Sequence, residues 1–252
     1  MLYVAGDCSE HSATFKASGT FIVPCEVRRV RVLAVGGGSG GLCGEFGGGG
    51  SGYVRSGEYG VTPGQAVAVT VGSGGEGSTS KYNDTQDSKA GGTSSFGAFL
   101  SAAGGEGRSG TGNFAGAAGG SGGGEGTAYC NEGTSGAGGT DGSNGSKGCG
   151  SFGVGSGQGA FPLHVLFIRN RLTPGAGGPG VSTSYPYRGG GGGGGGILLN
   201  GSGPNAQAGT NSIAGGFGGN GFGAGGGAGG VVLGTLVFAG GRGADGLVYI
   251  EW

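Results

Sequence analysis

Residues 27–35 (VRRVRVLAV) begin with an alternation and end in a run: Val30 and Val32 are spaced by Arg29 and Arg31, then Leu33, Ala34 and Val35 follow unbroken. Alternation marks a strand with one wet face, and an unbroken apolar run marks one covered on both faces. The stretch therefore predicts a strand that enters a core as it proceeds. Residues 65–71 (QAVAVTV) alternate again, with Val67, Val69 and Val71 on one face, after the turn signal Thr62-Pro63-Gly64. Residues 14–24 (closed by Pro24), 52–59, 93–102, 161–169, 231–239 and 246–252 are further short stretches rich in β-branched and aromatic residues. Short strands separated by turns predict an all-β fold, an antiparallel β-sandwich-like scaffold within a single domain spanning 1–252. The first and last strands are expected to pair, since GLVYIEW has no other use for its apolar face.

Between these strands the pattern disappears into glycine. Glycine accounts for 78 of the 252 residues, and the tracts at 36–50, 104–160 and 175–230 contain most of them. A collagen helix needs glycine at every third position, whereas eight glycines run together at 189–196. Helices are excluded by the cost of glycine in their interiors, about 1 kcal/mol each. Charged residues make up 11% and the net charge is −1, so the repulsion that keeps disordered chains open is absent. A glycine backbone still carries two polar groups per residue to satisfy. Packed polyproline II helices do this: they have three residues per turn, and their N–H and C=O groups point outward to neighbours. The prediction is a strand scaffold at about 13–102 and 231–252, clamping glycine-rich insertions packed as polyproline II helices. A Cβ at Gly193 would then collide with an adjacent backbone.

Four segments in fixed order, TFIVPCEVRRVRVLAVGGGSGG, VTPGQAVAVTVGSGGEG, GGTSSFGAFLSAAGGEG and GADGLVYIEW, resemble the glycine-rich domain of bacteriophage tail-fibre and adhesin proteins and related bacterial proteins. A more distant likeness is to the glycine-rich extracellular region of the anaplastic lymphoma kinase receptors. The resemblance covers most of 13–252. It implies a strand scaffold with glycine-rich insertions, a virion-surface or extracellular role, and no catalysis. Residues 161–172 (FPLHVLFIRNRL) are more apolar than such tracts and have no assigned place.

The chemistry-bearing residues are few. At this glycine content GxGxxG arises repeatedly by chance, and the motif means something only between a strand and a helix. No Lys follows a Gly, which removes a phosphate-binding loop. Ser39 and Ser121 each sit in G-x-S-x-G, but a nucleophile elbow needs a following helix and a His base. The only histidines are His11 and His164. The cysteines form no C-x-x-C, so neither zinc nor any other cofactor is expected. Cys8 with Cys25, and Cys130 with Cys149, either close short-loop disulfides or remain free thiols beside Cys43. Asn83, Asn144 and Asn200 lie in glycosylation sequons. Two clusters stand out as candidate receptor contacts. One is Tyr185, Tyr187 and Arg188, read as a loop tip and rich in residue types favoured at binding hot spots. The other is Lys81 and Tyr82 in the polar stretch 81–89, with its solvated-loop character.

No run approaches the roughly 20 apolar residues of a membrane helix, no basic stripe suggests nucleic acid, and no leader sequence is visible. The expected function is a virion-surface structural protein, a tail-fibre or adhesin component contributing to host attachment. Its expected partners are other virion or filament subunits, further copies of itself (a trimer would suit a fibre), and a host surface glycan or protein receptor. The competing reading is a secreted matrix or filament protein, or a ligand-binding ectodomain. The cysteines and sequons favour that reading.

Overall fold

The strand Arg29–Val35 organises the fold. A computed structural model describes residues 2–4, 11–44, 46–79, 87–108, 116–120, 122–124, 172–178, 180, 187–188, 190–210, 216–232 and 236–252. In chain order the strands are β1 (Leu2–Val4), β2 (Ser12–Phe15), β3 (Gly19–Ile22), β4 (Arg29–Val35), β5 (Val54–Gly60), β6 (Ala66–Thr70), β7 (Ser94–Phe96), β8 (Leu100–Ala102), β9 (Leu172–Pro174), β10 (Tyr187–Arg188), β11 (Ile197–Leu199), β12 (Val231–Val232), β13 (Leu236–Val237) and β14 (Leu247–Glu251). No helix occurs among the described residues.

One sheet has the order β2-β14-β4-β5 and a second β1-β3-β6-β7-β8. Every pairing is antiparallel except β1 on β3. The alternation of β4 does what its pattern requires. Val30, Val32 and Ala34, with Val248 and Ile250 of β14, pack on Phe21, Val67, Val69 and Phe96 of the second sheet. Leu33 and Val35, with Leu247 and Tyr249, point the other way, onto Ile197 and Phe222. All five residues of β14 are therefore buried, which explains its unbroken apolar run. The terminal strands pair as expected, Phe15 opposite Val248 and Ala13 opposite Ile250.

Three stretches expected as single strands are divided: 14–24 splits between β2 and β3, which belong to different sheets, and the other two are hairpins. Within 93–102, Gly97 takes φ +49° and turns β7 back on β8. Within 231–239, Val231–Val232 pairs with Leu236–Val237, and β10 joins them in a separate small sheet. Residues 161–169 lie outside the described residues. The Pro63-Gly64 turn forms as its chemistry dictates: Gln65 N–H donates to Thr62 C=O at 2.9 Å and Gly64 takes φ +79°.

The glycine segments pack on one another through their backbones. In 36–42 the hydrogen-bond partner repeats every third residue. Gly36, Ser39 and Leu42 donate to Tyr53, Gly50 and Gly47. Gly37 and Gly40 donate to Gly92 and Lys89, and Gly38 and Gly41 to Ala244 and Gly241. The carbonyls in turn accept from segments 72–79, 103–108 and 223–230. Three residues per turn with outward-directed bonds is the polyproline II geometry. Segment 223–230 repeats the arrangement: Gly225 and Ala228 donate to Gly194 and Gly191, and Gly226 and Gly229 to Ser39 and Leu42. The core of this bundle contains almost no side-chain volume. A Cβ built on Gly193 would stand 1.9 Å from the carbonyl oxygen of Gly225. The glycine hydrogen there points at that oxygen, a close Cα–H···O approach. The few side chains admitted are small, such as Ser39, Ala224 and Ala228, all fully buried.

Candidate functional site

Segments 36–44 and 72–79 leave the sandwich after β4 and β6 and run to the far end of the bundle, from which segment 238–246 returns to β14. Gly44 donates to Phe238, Gly240 to Ser78, Thr210 to Ala239, and Ser88 to Arg108, so residues 44, 78, 88, 108, 210 and 238–240 gather at that end. The β10-β12-β13 sheet lies there too. Lys81, Tyr82 and Tyr185 fall outside the described residues. Tyr187 and Arg188 form a strand whose backbone pairs with Val232 and Val231, rather than a loop tip.

Where bundle meets sandwich, polar side chains fasten one to the other. Ser94 Oγ donates to Val35 C=O at 2.6 Å and accepts from Gly72 N–H at 2.9 Å, joining the last residue of β4 to a glycine segment. Asp245 Oδ1 accepts from Gly74 N–H at 2.8 Å and from the Arg242 guanidinium at 2.7 Å. Partial burial pushes the Asp245 carboxyl up, but these two donors outweigh it and hold it below its ordinary range. Arg242 is raised, first by Asp245, and also reaches Glu76 at 3.0 Å. These ion pairs are half exposed, so each is worth at most about 1 kcal/mol, and what they contribute is position.

Beside this junction lies an open groove of about 610 Å³. One wall is the hairpin after β11, where Asn200 and Gly201 take φ +53° and +72°, the dihedrals of a type I′ turn. Leu199 and Ser202 exchange backbone bonds across it at 2.8 and 3.1 Å. The chain then passes Pro204, Asn205 and Gln207. The opposite wall is Arg242 to Gly246, with Gln207 Oε1 accepting from Arg242 N–H at 3.4 Å. Lys16, just beyond β2, holds its ammonium 5.7 Å from the centre of the Phe222 ring. Of these residues Asn200 alone is marked by the sequence, as a sequon, and none is marked as the lining of a groove. Asn-Gly was the available signal: it is the strongest short-range mark of a hairpin. The Arg-x-x-Asp pair, the only charges in 238–246, was another.

A second hollow, of about 400 Å³, lies on the exposed side of β4 and β5 around His11, Arg29, Arg31 and Trp252. There Arg29 and Arg31 both reach Glu58, at 2.8 and 3.4 Å, and lower its pKa, Arg29 most strongly.

Ser39 is buried and its Oγ both accepts from and donates to Gly50, at 2.9 and 3.3 Å. It ties two glycine segments together, and among the described residues its hydroxyl bonds to no histidine or carboxylate. Ser121 and His164 are outside the described residues. Cys25 is disulfide-bonded and Cys43 is a buried free thiol, while Cys8, Cys130 and Cys149 lie outside the described residues. Among the described residues no group of histidine, cysteine and carboxylate ligands could hold a metal, and no helix is long and apolar enough to cross a membrane.

Residues 14–252 match a family model described as a glycine-rich domain. No curated protein matches the chain.

Proposed function

The chain belongs to the glycine-rich domain family, and we propose that it is a structural component of a virion surface, a tail-fibre or adhesin part that contributes to host attachment. The observation that carries this reading is the bundle itself. Its described segments are fixed to one another by backbone bonds, and residues 44, 78, 88, 108, 210 and 238–240 gather at the end remote from the sandwich. A body built this way is stiff and offers its connections, not its interior, for contact. Lys81, Tyr82, Tyr185, Tyr187 and Arg188 are proposed to meet the receptor; of these, Tyr187 and Arg188 lie among the described residues, in β10. The sandwich, at the other end, is proposed to dock on fibre subunits or on further copies of this chain, a trimer matching the threefold symmetry of fibres. The test is to cross-link intact particles and identify what this chain touches. Contacts to other fibre subunits are expected, and recovery only as a free soluble monomer would overturn the reading.

A second reading, a secreted matrix protein or ligand-binding ectodomain, is favoured by one observation: Cys25 is disulfide-bonded, which suits an oxidising compartment. Its sequon Asn200 is exposed on the hairpin turn. Glycan on Asn200 of the native protein would decide for this reading.

A further inference from the structure

We propose that the groove between Lys16, the Asn200-Gly201 hairpin and the Arg242–Asp245 pair binds an acidic saccharide, one or two sugar rings bearing a carboxylate. Four properties of the groove point to that class. Its volume, about 610 Å³, suits a small ligand of that size. The side-chain amides of Asn200 and Asn205 are exposed at its rim and make no hydrogen bond to the described residues. An amide donates and accepts at once, which is what adjacent sugar hydroxyls require. Asp245 has both of its bonds on Oδ1, to Gly74 and Arg242; Oδ2 is left to accept from a ligand hydroxyl. Leu199 and Pro204 supply apolar wall for the C–H face of a sugar ring.

The distribution of charge places the carboxylate of the sugar at Lys16. Arg242 is taken up by Asp245 and Glu76. Lys16 is not: its ammonium rests over the Phe222 ring and has no carboxylate partner among the described residues. Arg242 between two carboxylates leaves that wall with a net negative charge, and Lys16 stands apart from it as a single cation, so the ligand carboxylate is placed at Lys16 and its hydroxyls at Asp245. The site is also arranged before any ligand arrives, because Arg242 and Gln207 are tied to each other and to their neighbours, and ordering costs on binding are correspondingly small.

The inference concerns a surface other than the remote end, and it holds whether or not the chain sits on a particle. It is tested on the full chain by NMR titration with glucuronate, the methyl glycoside of N-acetylneuraminate, and methyl glucoside as the neutral control. Shifts at Lys16 and at the Asn200 and Asn205 amides are expected with the acidic sugars, with at least about tenfold weaker binding of methyl glucoside. Lys16 is exposed, so Lys16→Gln should fold unchanged and remove that preference, while Arg28→Gln, exposed at the opposite end of β4, leaves it intact. Which of the two acidic sugars binds more tightly identifies the source as a uronate polysaccharide or a sialylated glycan. Absence of shifts at Asn200 and Asn205, or equal binding of acidic and neutral sugars unaffected by Lys16→Gln, would overturn the proposal.

Discussion

The sandwich and the glycine bundle solve opposite problems. In the sandwich, side chains alternate with period two, and the core is Phe21, Phe96 and the valines between the sheets. The backbone-to-backbone ladders there run within each sheet. In the bundle the period is three, the bonds leave each segment in all directions, and the interior is backbone packed on backbone. Apolar burial stabilises the first at about 25 cal/mol per Å². The second buries little side chain, and its glycines lose more entropy on ordering than any other residue. The bundle therefore depends on the sandwich as a clamp: each of its segments near β4, β6 and β14 is a direct continuation of a strand already fixed. Glycine itself has two uses here. In the bundle it makes room, and in the sandwich turns it supplies a dihedral angle.

The sharpest way to break this comparison is to add one methyl group. In Gly193→Ala the new Cβ falls 1.9 Å from Gly225 C=O. That carbonyl cannot retreat, since it accepts from Gly219 N–H at 3.0 Å. A loss above about 4 kcal/mol is expected, the range reserved for disrupted cores, and a large part of the stability of an ordinary domain. Gly60→Ala, at the end of β5 with nothing within 4 Å of the new Cβ, should change stability by less than about 0.5 kcal/mol. Thermal unfolding of the pair checks this; equal midpoints would show that the bundle is not close-packed.

The sandwich should fail by the ordinary route. Phe21 is fully buried, with its ring 6.0 Å from Phe96 and 5.4 Å from Trp252. Phe21→Ala is expected to cost about 3–5 kcal/mol in chemical denaturation, and Phe21→Leu less than half of that. The graded response is the contrast: a side-chain core offers conservative substitutions, and Gly193 has none.

What was legible in the chain follows the same division. The alternation of Val30 and Val32 and the run through Val35 located β4 and foretold its two covered faces, because side chains record burial. The bundle was legible as composition, but its membership was not. Segments 72–79, 87–93 and 238–246 belong to it as fully as the octaglycine run does, and a backbone-bonded segment leaves no side-chain mark of its neighbours. The groove escaped for a different reason. Lys16, Asn200 and Asp245 are distant in sequence: β2 pairing with β14 brings Lys16 to Asp245, Asn200 joins them because Ile197 bonds Phe222 and Gly223 bonds Asp245, and Asn200-Gly201-Ser202 reads as a sequon as well as a turn.

The seam between the two regions can be loosened by acid. Asp245 has its pKa depressed in the folded state despite partial burial, so its contribution is fully present above the ordinary carboxylate value, near pH 4. It is lost as the pH falls through the lower folded value. Its side chain is half exposed, which limits the effect to about 1 kcal/mol or less. Thermal midpoints of the wild type and Asp245→Asn should therefore differ at neutral pH and converge on acidification below pH ~4. A difference that persists in acid would mean that Asp245 acts by shape and not by charge.

The smallest effect sharpens the second use of glycine. Two turns of the sandwich share a third position at positive φ, filled by glycine in one and not in the other. In Thr62 to Gln65 the third position is Gly64 at φ +79°. In Pro24 to Val27, where Val27 N–H donates to Pro24 C=O at 3.3 Å, the third position is Glu26 at φ +68°. A side chain in that region costs roughly 1 kcal/mol, and Glu26 is exposed, so no contact offsets it. Glu26→Gly removes the strain but frees the unfolded chain, a loss of up to about 1 kcal/mol elsewhere. Here that loss is reduced, because Cys25 next to it is held in a disulfide that already restricts the unfolded state. The net expectation is a gain of a few tenths of a kcal/mol, roughly 1 °C in the thermal midpoint, and a larger loss for the reciprocal Gly64→Glu. Reduction of the disulfide should diminish the Glu26→Gly gain; a gain that survives reduction unchanged would place the whole effect in the folded turn.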